Sequence, residues 1–209
     1  MTKLITKKRL SREQSQAQTR ECLIQAARQL FVQHGFGGAS IRDIAEEAGY
    51  SQGAFYSNFP DKEAILLELL RRHMEAEVMQ LSSVFATDVL TGDEVLAELD
   101  AWALTLHADG DWAMLSIELQ LHANRSTAFA AEYGAIWRVH RNALSRFIER
   151  LFEHLALVPP AEPGQLAAGF IALAQGLGLQ RASIHPDPTG SMIMLFLRGL
   201  IASAQVMAK

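Results

Sequence analysis

The segment from Ser51 to Phe59 carries the side chains that could most directly do chemistry in this chain. Phe55 and Phe59 stand four residues apart, so in a helix both lie on one face and pack inward. The remaining positions carry no charge, although most can form hydrogen bonds. They are Gln52, Gly53, Ala54, Tyr56, Ser57 and Asn58. Such a face suits base edges and phosphates in a major groove better than bulk solvent, where lysine and glutamate are expected.

So short a segment is not stable alone and needs a partner helix. The residues before it have the i, i+3, i+4, i+7 spacing of one apolar helix face. They are Ile41, Ile44, Ala45 and Ala48. Ser40 and Asp43 read as a capping box at the start of this helix, and Gly49 can end it in a left-handed conformation. The sequence therefore predicts a helix-turn-helix, which Pro60 stops.

Lys62 adds a cation beside this unit. If Asp61 caps the next helix, Lys62 lies in its first turn, where a positive charge is mildly unfavourable. A phosphate bound there would be attracted both by the ammonium and by free backbone N–H groups. We therefore expect Ser40, Tyr56 and Lys62 to anchor phosphates. The residues expected to face bases are Gln52, Ala54, Ser57 and Asn58.

The combined pattern AxxxGxSxGxxYxxFxxKExL resembles the DNA-binding region of the tetracycline-repressor (TetR) family of bacterial transcriptional regulators. It begins at Ala45 and departs from the pattern at Ile65, which replaces the final leucine. The resemblance covers residues 16–66, under a third of the chain. It implies a DNA-binding set of Ser40, Arg42, Ser51, Gln52, Gly53, Ala54, Tyr56, Ser57, Asn58 and Lys62.

Charge is distributed unevenly along the 209 residues. Residues 1–62 hold nine Lys/Arg and six Asp/Glu, a net charge of +3, whereas residues 63–209 hold ten and seventeen, a net charge of −7. This asymmetry favours a DNA-facing N-terminal part and a remainder that stays off DNA. The single cysteine, Cys22, excludes an intrachain disulfide and is typical of a reducing cytoplasm.

Three regions follow from these patterns. Residues 1–15 form a basic flexible arm that either reaches DNA or only solubilises the chain. Residues 16–62 form the three-helix DNA-binding domain. Residues 63–209 form a C-terminal effector-binding and dimerisation domain, built from segments of helical periodicity without strand-like alternation. The fold class predicted for the whole chain is all-α.

The middle helices concentrate aromatic residues, methionine and a few polar groups, which is the makeup of an apolar pocket with orienting hydrogen bonds. The candidate effector-binding residues are Trp102, Trp112, Met114, Glu118, His122, Phe129, Tyr133, Trp137 and His140. An aromatic stripe at helical spacing is more often plain core, so each of them could instead serve packing alone. That a small-molecule effector binds here rests largely on the family resemblance.

Two C-terminal helices, expected over residues 165–184 and 191–207, are apolar on more than one face and need a second partner surface. In the family that the chain resembles, such helices form a four-helix dimer interface. The residues assigned to it are Leu166, Phe170, Leu173, Leu177, Leu195, Phe196, Gly199 and Val206. The alternative is that both helices are buried inside one monomer.

Seven histidines raise the question of a metal site or an enzyme. No HExxH, CxxC or nucleophile elbow accompanies them, so we predict no metal, no cofactor and no catalytic residue. An alternative from another class is a helical enzyme that uses His122 or His140 for acid/base chemistry. A third possibility is a constitutive DNA-binding protein with a solid core.

The working hypothesis is a cytoplasmic, homodimeric repressor without enzymatic activity. It binds a palindromic double-stranded operator and is released by a small, largely apolar effector, which changes the spacing of two recognition helices across half-sites roughly 34–36 Å apart. We expect no membrane association. The basic N-terminus lacks an apolar segment behind it, and the most apolar tract, residues 165–180, is too short to span a bilayer.

Overall fold

A computed structural model describes residues 11–85, 91–106, 110–180 and 189–206. The all-α prediction is confirmed. The helices are α1 (Arg12–Gly38), α2 (Ile41–Glu47), α3 (Gln52–Tyr56), α4 (Lys62–Ser83), α5 (Gly92–Thr105), α6 (Gly110–Ala123), α7 (Thr127–His154), α8 (Pro163–Gln180) and α9 (Thr189–Ser203). The chain forms two compact units, Met1–Leu69 and Leu70–Lys209. The predicted boundary after residue 62 lies seven residues before this division.

Helix α1 begins at Arg12, four residues before the predicted start. The cause is a capping box, in which the Ser11 hydroxyl accepts from the Gln14 backbone N–H and the Gln14 side chain accepts from the Ser11 N–H. The last residues of the predicted arm therefore belong to α1, while residues 1–10 lie outside the described residues. The sequence predicts that Gly35 ends this helix. Its φ of 71° does interrupt the helix, but one further helical turn follows it.

The helix-turn-helix forms as the local patterns predict. Ser40 and Asp43 make the expected capping box on α2, and Gly49 has φ 77° in the turn. Ser51 caps α3, where its hydroxyl accepts from the Ala54 N–H at 3.2 Å. Phe55 is fully buried, and its ring centroid lies 5.8 Å from that of the buried Phe59. Two aromatic rings therefore hold a helix of five residues in place.

The second unit packs its helices around an apolar core that includes Leu81, Phe85, Leu99, Leu151 and Leu197. The spacing of Thr91 and Glu94 predicts a capping box, which forms at the start of α5. Pro163 is predicted to stand at a helix start and occupies the first position of α8. Asp187 and Pro188 are predicted to begin the next helix, and both lie outside the described residues.

The helical spacing of apolar residues predicts a helix over residues 127–157, but α7 ends at His154, and Ala156 takes a left-handed φ of 55°. The chain continues as β1 (Leu157–Val158), which pairs antiparallel with β2 (Gln205–Val206). These two-residue strands were not predicted, because each is too short to show alternation. Helix α9 correspondingly ends at Ser203 rather than at residue 207.

Gly190, near the start of α9, lies directly against the backbone of Ala103 in α5. A Cβ atom at position 190 would stand 1.9 Å from the Ala103 carbonyl oxygen and 2.5 Å from its carbonyl carbon. Because backbone atoms cannot move aside as a flexible side chain does, only glycine fits this approach of the two helices.

Candidate nucleic-acid interface and internal cavity

The outward face of α3 is exposed and uncharged. Gln52, Gly53, Tyr56 and Ser57 are exposed, and Ala54 and Asn58 are half-buried. Tyr56 leaves 57% of its surface accessible, although its ring also meets the edge of Phe55 at 5.7 Å between centroids. A large aromatic ring is therefore held in water on a helix that has no charged residue.

Several polar side chains of this face are engaged by their own helix. The Ser57 hydroxyl donates to the Gly53 carbonyl at 2.8 Å, and the Asn58 amide donates to the Ala54 carbonyl at 2.8 Å. Ser51 serves as the N-cap. These bonds fix the side-chain directions in the free protein, while carbonyl and hydroxyl oxygens keep capacity to accept further hydrogen bonds.

The fold of the free protein does not require glycine at position 53. An added Cβ would meet only the Ser51 hydroxyl, at 3.6 Å, which is an ordinary contact. Its backbone is helical rather than left-handed. The free protein would therefore accept alanine here, and helix propensity would favour it.

Two predicted phosphate ligands near α2 have internal partners. The Ser40 hydroxyl donates to the Asp43 carboxylate at 2.6 Å, and the hydrogen bonds from Ser40 hold the pKa of that carboxyl below its usual range. Arg42 pairs with Glu46 one turn later, at 2.8 Å, with both side chains mostly exposed. A phosphate at Arg42 would have to compete with this pair, which is weak in solvent.

Lys62 points back to the end of α1. Its ammonium donates to the Phe36 carbonyl at 2.5 Å and to the Ala39 carbonyl at 2.8 Å, and it lies 4.3 Å from the centroid of the Phe36 ring. Burial lowers the pKa of Lys62. Two of the three N–H donors thus satisfy backbone carbonyls beyond a helix C-terminus, where a cation is favourable. This contact offsets the unfavourable position at the start of α4.

Arg20 is a residue of this unit that the sequence patterns did not single out. Its guanidinium donates to the Asn58 carbonyl at 3.0 Å, pairs with Glu68 at 3.2 Å and lies 4.1 Å from the centroid of the Phe59 ring. It therefore joins α1, the end of α3 and α4. The planar guanidinium, with five N–H donors and an aromatic-stacking face, makes all three contacts at once.

The second unit encloses a cavity of about 490 Å³. Helices α4 to α9 all contribute to its walls. All three tryptophans of the chain line it, together with His140, so four of the nine predicted effector residues are brought together: Trp102, Trp112, Trp137 and His140. The Trp112 ring stacks on His73 with 3.7 Å between centroids.

The other predicted effector residues do not line this cavity. Phe129 is buried and Tyr133 lines a second cavity of about 360 Å³, where its hydroxyl donates to Gln120 at 3.1 Å. His122 packs edge-on against Phe129. Glu118 and Met114 lie on α6, and the Met114 side chain is outside the described residues. The aromatic stripe of α7 therefore continues beyond the cavity.

Comparison with known proteins identifies the family. A family model for bacterial regulatory proteins of the tetR family matches residues 23–69, which contain α2, α3 and the start of α4. The N-terminal part of the chain therefore carries a DNA-binding domain of the TetR family. The helix-turn-helix repressor AcnR of Corynebacterium efficiens is 28% identical over 130 residues. That alignment spans 62% of this chain and 62% of AcnR.

Solved structures share the fold over most of the chain. Reduced NemR of Escherichia coli superposes with a TM-score of 0.68 at 23% identity, covering 91% of this chain and all of the other. A putative transcriptional regulator from Saccharomonospora viridis in complex with choline superposes with a TM-score of 0.66 at 20% identity. It covers 90% of this chain and 99% of that protein. These identities establish the fold alone.

The larger cavity also holds polar residues that the sequence patterns missed. His73, Glu77 and Gln80 line it from one face of α4, and Gln175 lines it from α8. The sequence did contain a signal for the α4 residues, because positions 73, 77 and 80 have the helical spacing of a buried stripe. Gln175, in the interior of the largely apolar α8, was a second signal.

Glu77 and His140 form a polar pair in this cavity. The Glu77 carboxylate lies 3.5 Å from His140 Nε2, and the side chains are 25% and 3% exposed, respectively. Burial raises the pKa of Glu77 to about 7 and lowers the pKa of His140. Both shifts favour the neutral forms, as expected where a charge loses its hydration. His140 Nδ1 and Trp102 Nε1 are buried without a hydrogen-bond partner among the described residues.

The predicted dimer residues fall into two groups. Leu195, Phe196 and Gly199 of α9 are exposed, with 62% of the Leu195 surface and 53% of the Phe196 surface accessible. Leu166 and Phe170 pack on the core, and Phe170 also lines the larger cavity. Leu173 and Leu177 are half-buried on α8, and Val206 lies in β2.

Neither a metal cluster nor a membrane-spanning helix is found in the described part of the chain. No group of three or more His, Cys, Asp or Glu side chains there could hold a metal ion. None of the helices searched there is long and apolar enough to cross a bilayer.

Proposed function

We propose that this chain is a cytoplasmic, homodimeric transcriptional repressor that binds a palindromic operator and is released by a small effector. The observation that carries the DNA-binding part is the outward face of α3. It is exposed and uncharged, it has hydrogen-bonding groups, and it includes a glycine that the fold does not require. AcnR and NemR are named as helix-turn-helix transcriptional repressors, which supports the same activity.

Gly53 and Tyr56 are central to this surface. An exposed tyrosine offers a ring for a sugar or base methyl group and a hydroxyl for a phosphate. The absent side chain at Gly53 lets a DNA backbone approach α3 closely. For Lys62 we propose a second role beside the expected phosphate contact. It holds α4 against the end of α1 through two hydrogen bonds, and one N–H is left for a phosphate.

The cavity supports response to an effector. Its volume lies within the range of drug-sized ligand sites, and its lining combines aromatic residues with a few polar groups. The structurally similar Saccharomonospora viridis regulator was solved with choline. The polar pair of Glu77 and His140 gives a bound molecule a point of orientation.

The exposed apolar residues of α8 and α9 support homodimerisation. Leu179, Leu195 and Phe196 are each more than half accessible in the single chain. Helical positions 195, 196 and 199 form one strip that includes the open Gly199. A two-fold dimer uses the same surface on both subunits, and it would double the contacts of a short recognition helix.

DNA binding can be tested with a matched pair of glycine variants. Duplexes are first selected from a random library with the full-length protein, and their affinity is measured by fluorescence anisotropy over a range of salt concentrations. Gly53→Ala should weaken binding at least tenfold without lowering the free energy of unfolding, because its Cβ makes only an ordinary contact within the protein but obstructs the approach of DNA. Gly37→Ala is the control, since Gly37 also has open space around it but lies outside α3.

Equal affinity of both glycine variants for the duplex would contradict the assignment of α3 to the DNA interface. Failure of the protein to enrich any duplex, together with binding that does not depend on salt, would remove DNA binding altogether. A constitutive DNA-binding protein would bind the selected duplex but show no release with any cavity ligand.

One feature of the cavity favours the enzyme alternative. Acid/base chemistry needs a second group near a central histidine, and Glu77 supplies a carboxylate at 3.5 Å from His140. We assign this pair to ligand recognition, because the relatives AcnR and NemR are named as transcriptional repressors. Recovery of a cavity ligand unchanged after incubation tests this assignment.

A further inference from the structure

Within the described ranges, the lining of the larger cavity contains an acidic residue but no strongly basic one. Among the described residues that line it, Glu77 is the only carboxylate, and no lysine or arginine is present. His140, which faces Glu77 from α7, and His73, one turn away on α4, are the other titratable groups of the lining. Because burial disfavours the charged form of His140, Glu77 has no strong cationic partner within the described chain.

A carboxylate without a charged partner in an apolar cavity destabilises the protein, and the raised pKa of Glu77, near 7, reflects this effect. Two kinds of molecule could relieve it. A proton makes the group neutral, whereas a bound cation restores the ion pair that the protein itself lacks. Near neutral pH the carboxyl is poised between these two states.

The rest of the lining suits the second option. Tryptophan is the aromatic residue that attracts cations best, and three of them border this one space. Their rings, with Leu144, Phe147 and Met194 of the same lining, also give an apolar ligand body extensive contact. The volume of about 490 Å³ accommodates a ligand larger than a bare ammonium headgroup.

We propose that the effector is an organic monocation with an apolar body, whose charged nitrogen is paired with Glu77 among the cavity tryptophans. This assignment rests on the proposed function, because it names the ligand class of the effector site. An anionic effector such as a carboxylic acid would meet Glu77 without any cation from the described lining. A neutral effector would leave the carboxylate uncompensated.

Three probes that share a phenylbutyl body separate these classes, and the first two also have headgroups of equal shape. They are (4-phenylbutyl)trimethylammonium, its uncharged analogue with a tert-butyl group in place of trimethylammonium, and 5-phenylpentanoate as the anion. Binding to the full-length protein at pH 8 is followed by tryptophan fluorescence and by calorimetry. Every tryptophan of the chain lines this cavity, so binding there changes the fluorescence. Trp137 also lines the smaller cavity, and the variants at Glu77 distinguish the two sites.

The cation should bind at least tenfold more tightly than the uncharged analogue, and the anion should bind most weakly. Equal affinity of the cation and the uncharged analogue, or tighter binding of the anion, would overturn the proposal. This comparison needs only the unaltered protein, so it stays decisive even if a variant fails to fold.

A pair of variants then assigns the effect to one carboxylate. Glu77→Gln should lower the affinity for the cation at least tenfold and leave the uncharged analogue unaffected. Glu75→Gln is the matched control, because Glu75 lies on the same helix but is exposed. Loss of cation preference in both variants, or in neither, would contradict the assignment to Glu77.

Binding of the selected duplex is measured separately on the same protein. If the protein prefers the cation but binds no duplex, the proposed ligand class holds and the proposed DNA-binding function is refuted. If the protein binds the duplex but does not prefer the cation, the DNA-binding function holds and the proposed ligand class is refuted. Cation binding that leaves duplex affinity unchanged would refute the role of the site as an effector site.

Discussion

Replacing Glu77 with glutamine should stabilise the protein, and by an amount that depends on pH. Burial raises the pKa of this carboxyl from 4.5 to about 7, a difference of about 2.5 pKa units that corresponds to about 3 kcal/mol. Glutamine keeps the shape of the side chain but cannot ionise. The gain on substitution therefore equals the cost of holding a carboxylate in the cavity, less any contact that the amide makes less well.

The stability cost of the Glu77 carboxylate increases with pH. Between pH 4.5 and 7 the folded state binds more protons at Glu77 than the unfolded state, so stability falls as the pH rises through this range. Below about pH 4.5 both states are protonated and the cost is absent. Above pH 7 the cost is complete. Glu77→Gln should therefore gain less than about 1 kcal/mol at pH 5 and about 3 kcal/mol at pH 8.

Urea denaturation at fixed protein concentration, followed from pH 5 to pH 8, measures this difference. His140 is present in both proteins, so its own titration cancels from the difference to first order. Glu149→Gln, on an exposed position of α7, controls for the change in net charge. A carboxyl resonance that is lost in Glu77→Gln and titrates near pH 7 would give the pKa directly. A gain that stays constant from pH 5 to pH 8 would refute burial of an ionisable carboxyl as its cause.

Three further changes test other parts of the structure. Gly190→Ala should lower the free energy of unfolding by about 1–3 kcal/mol, since its Cβ would overlap the Ala103 backbone, and thermal unfolding measures the loss. Arg20→Met should destabilise the N-terminal unit by about 1–3 kcal/mol, because a part-buried hydrogen bond to the Asn58 carbonyl is lost. Hydrogen exchange in α3 reports this effect, and unchanged protection there would contradict it. The double variant Leu195→Glu, Phe196→Glu should be monomeric in sedimentation velocity, and a dimer that persists would place the interface elsewhere.

Features that depend on neighbouring residues were predictable from the sequence. The capping boxes at Ser40 and Thr91 and the left-handed Gly49 each need only a few adjacent side chains, and all three form as expected. The start of α1 was missed although Ser11 and Gln14 carry the same signal. There, the density of basic residues suggested a disordered arm and obscured a cap.

The cavity lining was only partly predictable, because helical spacing gives the face of a residue but not its height along the helix. Phe129 and His140 lie on one stripe of α7, yet eleven residues separate them, roughly 16 Å along the axis. Only the part of the stripe from Trp137 onward reaches the larger cavity. Glu77 was missed for another reason, since a carboxylate on a long helix is ordinarily assigned to solvent.

The hydrogen-bond partners of Lys62 determine which substitutions around it the protein can accept. Both acceptors are main-chain carbonyls, those of Phe36 and Ala39, so the two hydrogen bonds do not depend on which side chains occupy these positions. Substitutions at 36 and 39 that keep the local backbone would preserve both hydrogen bonds, whereas a change at 62 removes them at once. A single lysine thus carries the attachment of α4 to the end of α1, and loss of DNA binding on its replacement would report a loosened scaffold as readily as a lost phosphate contact.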